Sequence, residues 1–273
     1  MRNELSRRNF LAGAVAAAGA VAAAGVVGCA PKETASAPVA DAPKTLVGQA
    51  PAWLGEAPEI AASDIVKTEE TDLLIVGAGN GGIVAAATAS DLGLDFMIAE
   101  KTGALAVTRG WYGAVNIPEC AAAGKEVDTI RLNNAIRQSY CGKNDMRVVK
   151  VWMDESAEMH EYVKSIMESY GYAVNFDSDQ GNGHGGVGID MYVPPIQVNY
   201  MAREDCPEEN KELDRNHIFE DYINKAGHEV VYNYDLAKLV QDDSGAVTGA
   251  IFDTPDGYVQ VNAKNVLLTT GGY

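Results

Sequence analysis

Basic clusters are missing from this sequence. Its 38 Asp and Glu outweigh 21 Lys and Arg, giving a formal net charge of −17, and no Lys/Arg run is interleaved with aromatics. Without that positive footprint, nucleic acid is excluded as a partner; the acidity otherwise speaks for solubility. Cysteine is equally scarce. Cys29, Cys120, Cys141 and Cys206 form no CxxC pair, so no disulfide framework is implied. The histidines, His160, His184, His217 and His228, are scattered without zinc-ligand spacing, and no structural metal is expected. Disorder as a global state is excluded by 47% hydrophobic residues against 22% charged, in a chain long enough for a sizeable core in one or two domains.

Residues 1–28 are an address and not part of a fold. Ser6-Arg7-Arg8-Asn9-Phe10-Leu11 leads into an uncharged Ala, Gly and Val run that ends at Gly28, the pattern of a twin-arginine export signal. The alternative, a spanning anchor of about the right length, is disfavoured because Ala and Gly bring little transfer energy. Val26-Val27-Gly28-Cys29 resembles a bacterial lipobox, which makes Cys29 the lipid-bearing first residue of the mature chain; the alternative is an ordinary small-residue cleavage site. A diacylglyceryl group supplies the second chain that stable anchoring needs. The expected location is the cell envelope, on the outer side of the cytoplasmic membrane. Residues 29–70, rich in Ala, Pro and small polar residues, read as a tether.

Chemistry begins at Thr71. Thr71-Asp72-Leu73-Leu74-Ile75-Val76 has strand length and leads into Gly77-Ala78-Gly79-Asn80-Gly81-Gly82, then a small-residue helix from Ile83 to Leu92. A second apolar run, Phe96 to Ala99, ends in Glu100. Gly77 permits the tight turn, Gly79 lets backbone approach a pyrophosphate, and Gly82 lets the helix pack close to the strand. The helix N-terminus offers free N–H groups and partial positive charge to phosphates. Glu100 can accept hydrogen bonds from ribose hydroxyls. This order of strand, glycine turn, helix, strand and acid predicts a dinucleotide site, without deciding between FAD and NAD.

The far end of the chain decides. Glu229 to Tyr232, Ala237 to Val240, Val247 to Phe252 and Tyr258 to Val261 read as strands, with turns at Asp242 to Gly245 and Pro255 to Gly257. Then comes Ala263-Lys264-Asn265-Val266-Leu267-Leu268-Thr269-Thr270-Gly271-Gly272, in which Leu267 and Leu268 look like the end of a buried strand. DLLIVGAGNGGIVAAATASDLGLDFMIAEK, DSGAVTGAIF and AKNVLLTTGGY together resemble the FAD-binding half of the fumarate reductase/succinate dehydrogenase flavoproteins, over residues 71–273. The resemblance implies an α/β fold: a Rossmann-like FAD-binding domain with a central parallel sheet, a small antiparallel β-meander, an incomplete cap domain, and a mostly helical insertion over 120–215.

It also implies site residues. Gly77, Gly79 and Gly82 line the pyrophosphate, with Ala78, Asn80 and Gly81 of the same turn also cofactor-binding; Glu100 holds the adenosine ribose with Lys101 following, and backbone around Ala237 meets adenine. Thr270, Gly271 and Gly272 return beside the first glycine turn; Thr269 stands where the family usually has alanine. Thr108, Gly110 and Gly113 fall in the loop expected near the flavin ring, together with Arg109 and Trp111, whose commoner explanations are a surface cation and a packed aromatic. No histidine precedes His160, so the FAD is expected to be non-covalent.

Between these ends, Val127 to Tyr140 and Asp145 to Tyr170 read as helices, and Met159, Tyr162, Val163, Ile166, Met167 and Tyr170 form an apolar core stripe. The glycine-dense segment around His184 lacks a Gly-Lys-Ser/Thr ending and reads first as a loop; His184 is a weak candidate for proton handling. The resemblance implies that the family continues past Gly272 into a substrate-covering domain carrying the proton-donating arginine. The chain therefore reads as an N-terminal fragment with weak or absent flavin retention. The encoded protein is expected to be an exported FAD-dependent oxidoreductase acting on a small unsaturated or carboxylate-bearing substrate, with an unidentified electron partner. The alternatives are an inactive nucleotide-binding module and an NAD-dependent dehydrogenase.

Overall fold

The computed structural model describes residues 58–105, 110–178 and 194–271. Nine strands and five α-helices follow one another among these residues: β1 (Ile65–Val76), α1 (Asn80–Asp91), β2 (Phe96–Glu100), β3 (Tyr112–Gly113), α2 (Pro118–Ala122), α3 (Thr129–Ser139), α4 (Met146–Ser169), β4 (Tyr172–Asp177), β5 (Gln197–Ala202), α5 (Arg215–Lys225), β6 (Val230–Tyr232), β7 (Asp235–Gln241), β8 (Val247–Thr254) and β9 (Gly257–Leu268). None of these helices is long and apolar enough to cross a membrane.

Six strands make one sheet in the order β6-β2-β1-β9-β8-β7. β6, β2, β1 and β9 are parallel, while β8 and β7 turn back antiparallel. The parallel centre is the part that must be covered on both faces. Leu74, Ile75 and Ile98 there have no exposed surface, and Ile75 and Leu74 belong to cores on opposite faces. On one face α1 presents Gly82, Ile83, Ala86, Ala87 and Ala89 inward. These small side chains let Ile218, Phe219 and Ile223 of α5 join the same cluster with no exposure. Full burial of each large residue contributes roughly 1.5–3 kcal/mol.

The structure redraws three sequence expectations. β1 starts at Ile65, inside the stretch assigned to the 29–70 tether, because Ile65 to Glu70 pair with Tyr258 to Asn262 of β9. β9 is one strand of 12 residues where the sequence suggested two. It pairs antiparallel with β8 and parallel with β1, so the expected meander is continuous with the central sheet. Leu267 and Leu268 pair through their backbone with Ile75 and Val76, yet their side chains are 40% and 48% exposed and not buried as read.

The 120–215 segment is less helical than expected. α3 and α4 form as read, capped by Asp128 and Asp145, whose carboxylates accept the Arg131 and Arg147 N–H groups at 2.9 Å. β4 and β5, however, pair antiparallel, and β3 joins them as a second, three-stranded sheet. The α4 stripe is core: Val163, Ile166, Met167 and Tyr170 are buried, with Met159 and Tyr162 packed against them.

Candidate functional site

The sequence brings its first glycine turn to the end of a buried strand, and the sheet places the closing turn beside it. Val76 pairs with Leu268, so the backbones leaving β1 and β9 emerge together. Between them opens a crevice of about 430 Å³, lined by Gly77 and Gly79, by Glu100 and Lys101 at the end of β2, by Tyr234 to Leu236 at the start of β7, and by Thr269 to Gly271. It lies at the carboxyl ends of parallel strands, where open α/β sheets bind ligands.

The glycines divide the work. Gly77 has φ +97°, and a Cβ there would lie 2.8 Å from the Thr269 carbonyl oxygen. A Cβ on Gly82 would lie 1.8 Å from the Gly77 carbonyl oxygen. Both glycines exist to let backbones touch. Gly79 differs: it lines the crevice, and a Cβ there would meet none of the described residues within 4 Å. Its emptiness faces the ligand space. Gly79 is also the N-cap of α1 and, lacking a side chain, offers the first-turn N–H groups no cap of its own. A pyrophosphate is the ligand such a helix end accepts.

Glu100 holds the same turn from the β2 side. Its Oε2 accepts the Ala78 N–H at 2.8 Å, and its Oε1 accepts the Thr102 N–H at 3.1 Å and the Thr102 hydroxyl at 2.9 Å. Burial would push this carboxyl up, but those hydrogen bonds hold it below its ordinary value of 4.5. A carboxyl held low stabilises the fold above its unfolded-state pKa and loses that contribution as pH falls through the folded value. Wild type is therefore expected to lose stability more steeply than Glu100→Gln on acidification below about pH 5, as read from urea midpoints. Parallel pH profiles would remove Glu100 from this role. Beside the ribose role expected of it, Glu100 shapes the glycine turn through these contacts.

Thr269 is a residue whose importance the sequence concealed. Its N–H donates to the Val76 carbonyl at 2.8 Å, and its hydroxyl lies 2.8 Å from the same oxygen and 2.7 Å from the Gly77 carbonyl. The residue that looked like a conservative replacement for alanine ties the two turns together. Thr269→Val should cost about 1 kcal/mol in urea unfolding, the usual worth of one such hydrogen bond, with Thr269→Ser restoring most of it. Equal stability of all three would show the hydroxyl to be idle.

The other expected site residues are only partly at the crevice. Thr270 and Gly271 line the crevice; Ala78, Asn80, Gly81 and Gly82 build the turn and helix start. Tyr234, Asp235 and Leu236, just before Ala237, line the crevice at the start of β7. Gly110 packs against Asn199, and Gly113 against Trp152 and Ile196, at the small sheet. Cys29, Thr108, Arg109, His184 and Gly272 lie outside the described residues. A larger hollow of about 520 Å³ at the other end of α1 includes Asp91 and Lys225. It suits a phosphate poorly, because that helix end presents carbonyls and Asp91 already accepts the Tyr162 and Tyr222 hydroxyls at 2.8 and 2.7 Å.

Comparison with known proteins agrees with this geometry. The FAD binding domain family matches residues 72–273. A probable fumarate reductase, Ifc3, of Shewanella frigidimarina is 26% identical over 215 residues, covering 76% of this chain and 33% of the relative. The digoxin reductase of Eggerthella lenta is 36% identical over 102 residues, 37% of this chain and 16% of that protein. The chain thus spans about a third, or less, of these relatives' lengths. Among solved structures, the open conformation of a flavocytochrome c3 fumarate reductase superposes with a TM-score of 0.59 at 22% identity, over 78% of this chain and 35% of that one. A 3-ketosteroid-Δ4-(5α)-dehydrogenase from Rhodococcus jostii RHA1 gives 0.59 at 18% identity, over 78% and 48%. Converging glycine turns, an uncapped helix start, a carboxylate at the end of β2 and the family match lead to one conclusion: the chain belongs to the FAD binding domain family and its cofactor is FAD.

Proposed function

We propose that the chain forms the dinucleotide-holding part of an exported FAD-dependent oxidoreductase of the fumarate reductase/succinate dehydrogenase type. The crevice between Gly79 and Thr270 carries this reading. Gly79 and the α1 start bind the pyrophosphate, Glu100 and Lys101 face the ribose, and Tyr234 to Leu236 border the adenine. FAD, when bound, supplies hydride-transfer chemistry. The chain's residues supply position and charge.

Likeness to a probable fumarate reductase favours a small unsaturated carboxylate as substrate, and likeness to a digoxin reductase keeps a larger molecule in the test. The experiment is direct binding of FAD and ADP to the purified chain, followed by competition between them. ADP binding, with FAD competing weakly at most, is expected; absence of ADP binding would end this reading. FAD bound without reduction under any electron donor and substrate offered would favour the inactive nucleotide-binding module. Export rests on Arg7-Arg8 and the segment ending at Cys29. Cell fractionation is expected to place wild type in the envelope, Arg7→Lys/Arg8→Lys in the cytoplasm, and Cys29→Ser free of the membrane.

A further inference from the structure

Away from the crevice, one face of α4 carries Trp152, Ser156 and His160, each four residues after the last and therefore stacked along the helix. All three reach the same short segment. The Trp152 indole N–H donates to the Gly113 carbonyl at 3.0 Å, the Ser156 Oγ accepts the Val115 N–H at 2.9 Å, and His160 Nδ1 lies 2.7 Å from the Tyr112 hydroxyl. Ser156 is 3% exposed and His160 0%. An apolar reading of α4 passes over this stripe.

The hydrogens can be placed by elimination. Glu119 of α2 lies 3.1 Å from His160 Nε2 and 2.7 Å from the Lys164 ammonium, which keeps its carboxyl below the ordinary range against the pull of burial. A carboxylate only accepts, so Nε2 carries the hydrogen and the Nδ1 of a neutral ring is bare. Tyr112 must then donate to Nδ1. Its oxygen in turn accepts from the Tyr200 hydroxyl of β5 at 2.7 Å. Every donor in the chain Tyr200, Tyr112, His160, Glu119 points the same way.

We propose that this stripe is a pH-responsive latch on segment 112–115, with His160 as its release. A second proton on His160 turns Nδ1 into a donor facing a donor. Tyr112 must reverse, and Tyr200 loses the Tyr112 oxygen as its acceptor. The groups facing His160 are Glu119 from α2, Glu161 and Lys164 from its own helix, Tyr112 from β3 and Tyr200 from β5. Behind Tyr112, the Arg215 guanidinium of α5 lies 4.9 Å from the ring centroid. The carboxylates favour the added charge. Burial and the Lys164 ammonium oppose it, and burial prevails, holding His160 below its ordinary 6.5. The closed latch therefore excludes a proton that the open one accepts. In the flavoprotein reading the loop holding Gly110 and Gly113 is the one expected beside the flavin, so release would loosen it; that consequence rests on the flavoprotein reading, whereas the latch does not.

Amide hydrogen exchange on the full chain without added cofactor tests the latch. Corrected for intrinsic exchange, protection of Val115 and its neighbours is expected to fall by up to about tenfold per pH unit below 6.5. His160→Gln, which keeps a donor for Glu119 but does not titrate, should show no such fall. Tyr112→Phe removes the opposed hydroxyl and should blunt it as well, should the glutamine variant fail to fold. Protection in wild type that does not change with pH, the same fall in either folded variant, or a His160 ring titrating at or above its ordinary value by NMR would overturn the proposal.

Discussion

Gly82→Ala is expected to lose about 3 kcal/mol or more of folding stability, and with it soluble expression. The usual expectation for a glycine inside a helix is the reverse, since alanine there gains about 1 kcal/mol of propensity. Here the added methyl would sit 1.8 Å from the Gly77 carbonyl oxygen and 2.7 Å from Thr269 Oγ1. The first is backbone of a turn fixed by β1, and it cannot rotate away as a side-chain tip can. The clash outweighs the propensity, and against a typical margin of 5–15 kcal/mol the loss is large. Urea unfolding of the variant checks it; an unchanged or raised midpoint would mean that α1 can lift off the turn.

Gly79→Val is expected to do the opposite: fold like wild type, but bind FAD and ADP at least about a hundredfold more weakly, roughly 2.7 kcal/mol. Its backbone, φ −70° and ψ −169°, is ordinary extended chain open to any residue, and no atom of the described residues lies within 4 Å of the added Cβ. The valine would fill the space that faces the crevice and hold phosphates away from the α1 N–H groups. Titration calorimetry on wild type and variant, alongside their unfolding midpoints, separates the two glycines. A variant that binds within a few-fold of wild type would move the pyrophosphate away from this turn.

These paired outcomes mark the reach of sequence reading. The glycine spacing, the acid ending the second run and the two capped helices were legible because each is written in residues close along the chain. β4 and β5 went unread although both alternate, Tyr172, Val174 and Phe176 against Ala173, Asn175 and Asp177, and Val198 and Tyr200 against Gln197 and Asn199: each run is only six residues long, and its partner lies about twenty residues away in the chain. Around Ala237, it is the residues just before it, Tyr234 to Leu236, that border the crevice.

The sequence alone settled which segments are strand, turn and helix around the dinucleotide motif, since steric rules for glycine and the periodicity of burial act within a few residues. Only the tertiary structure decided that Thr269 clamps Gly77, that Glu100 caps the turn it faces, and that His160 lies under Tyr112. Each of these contacts joins residues far apart in the chain. Their geometry follows from β1 and β9 running side by side and from α4 crossing the small sheet, and that placement is set by packing of the whole core and not by any local pattern.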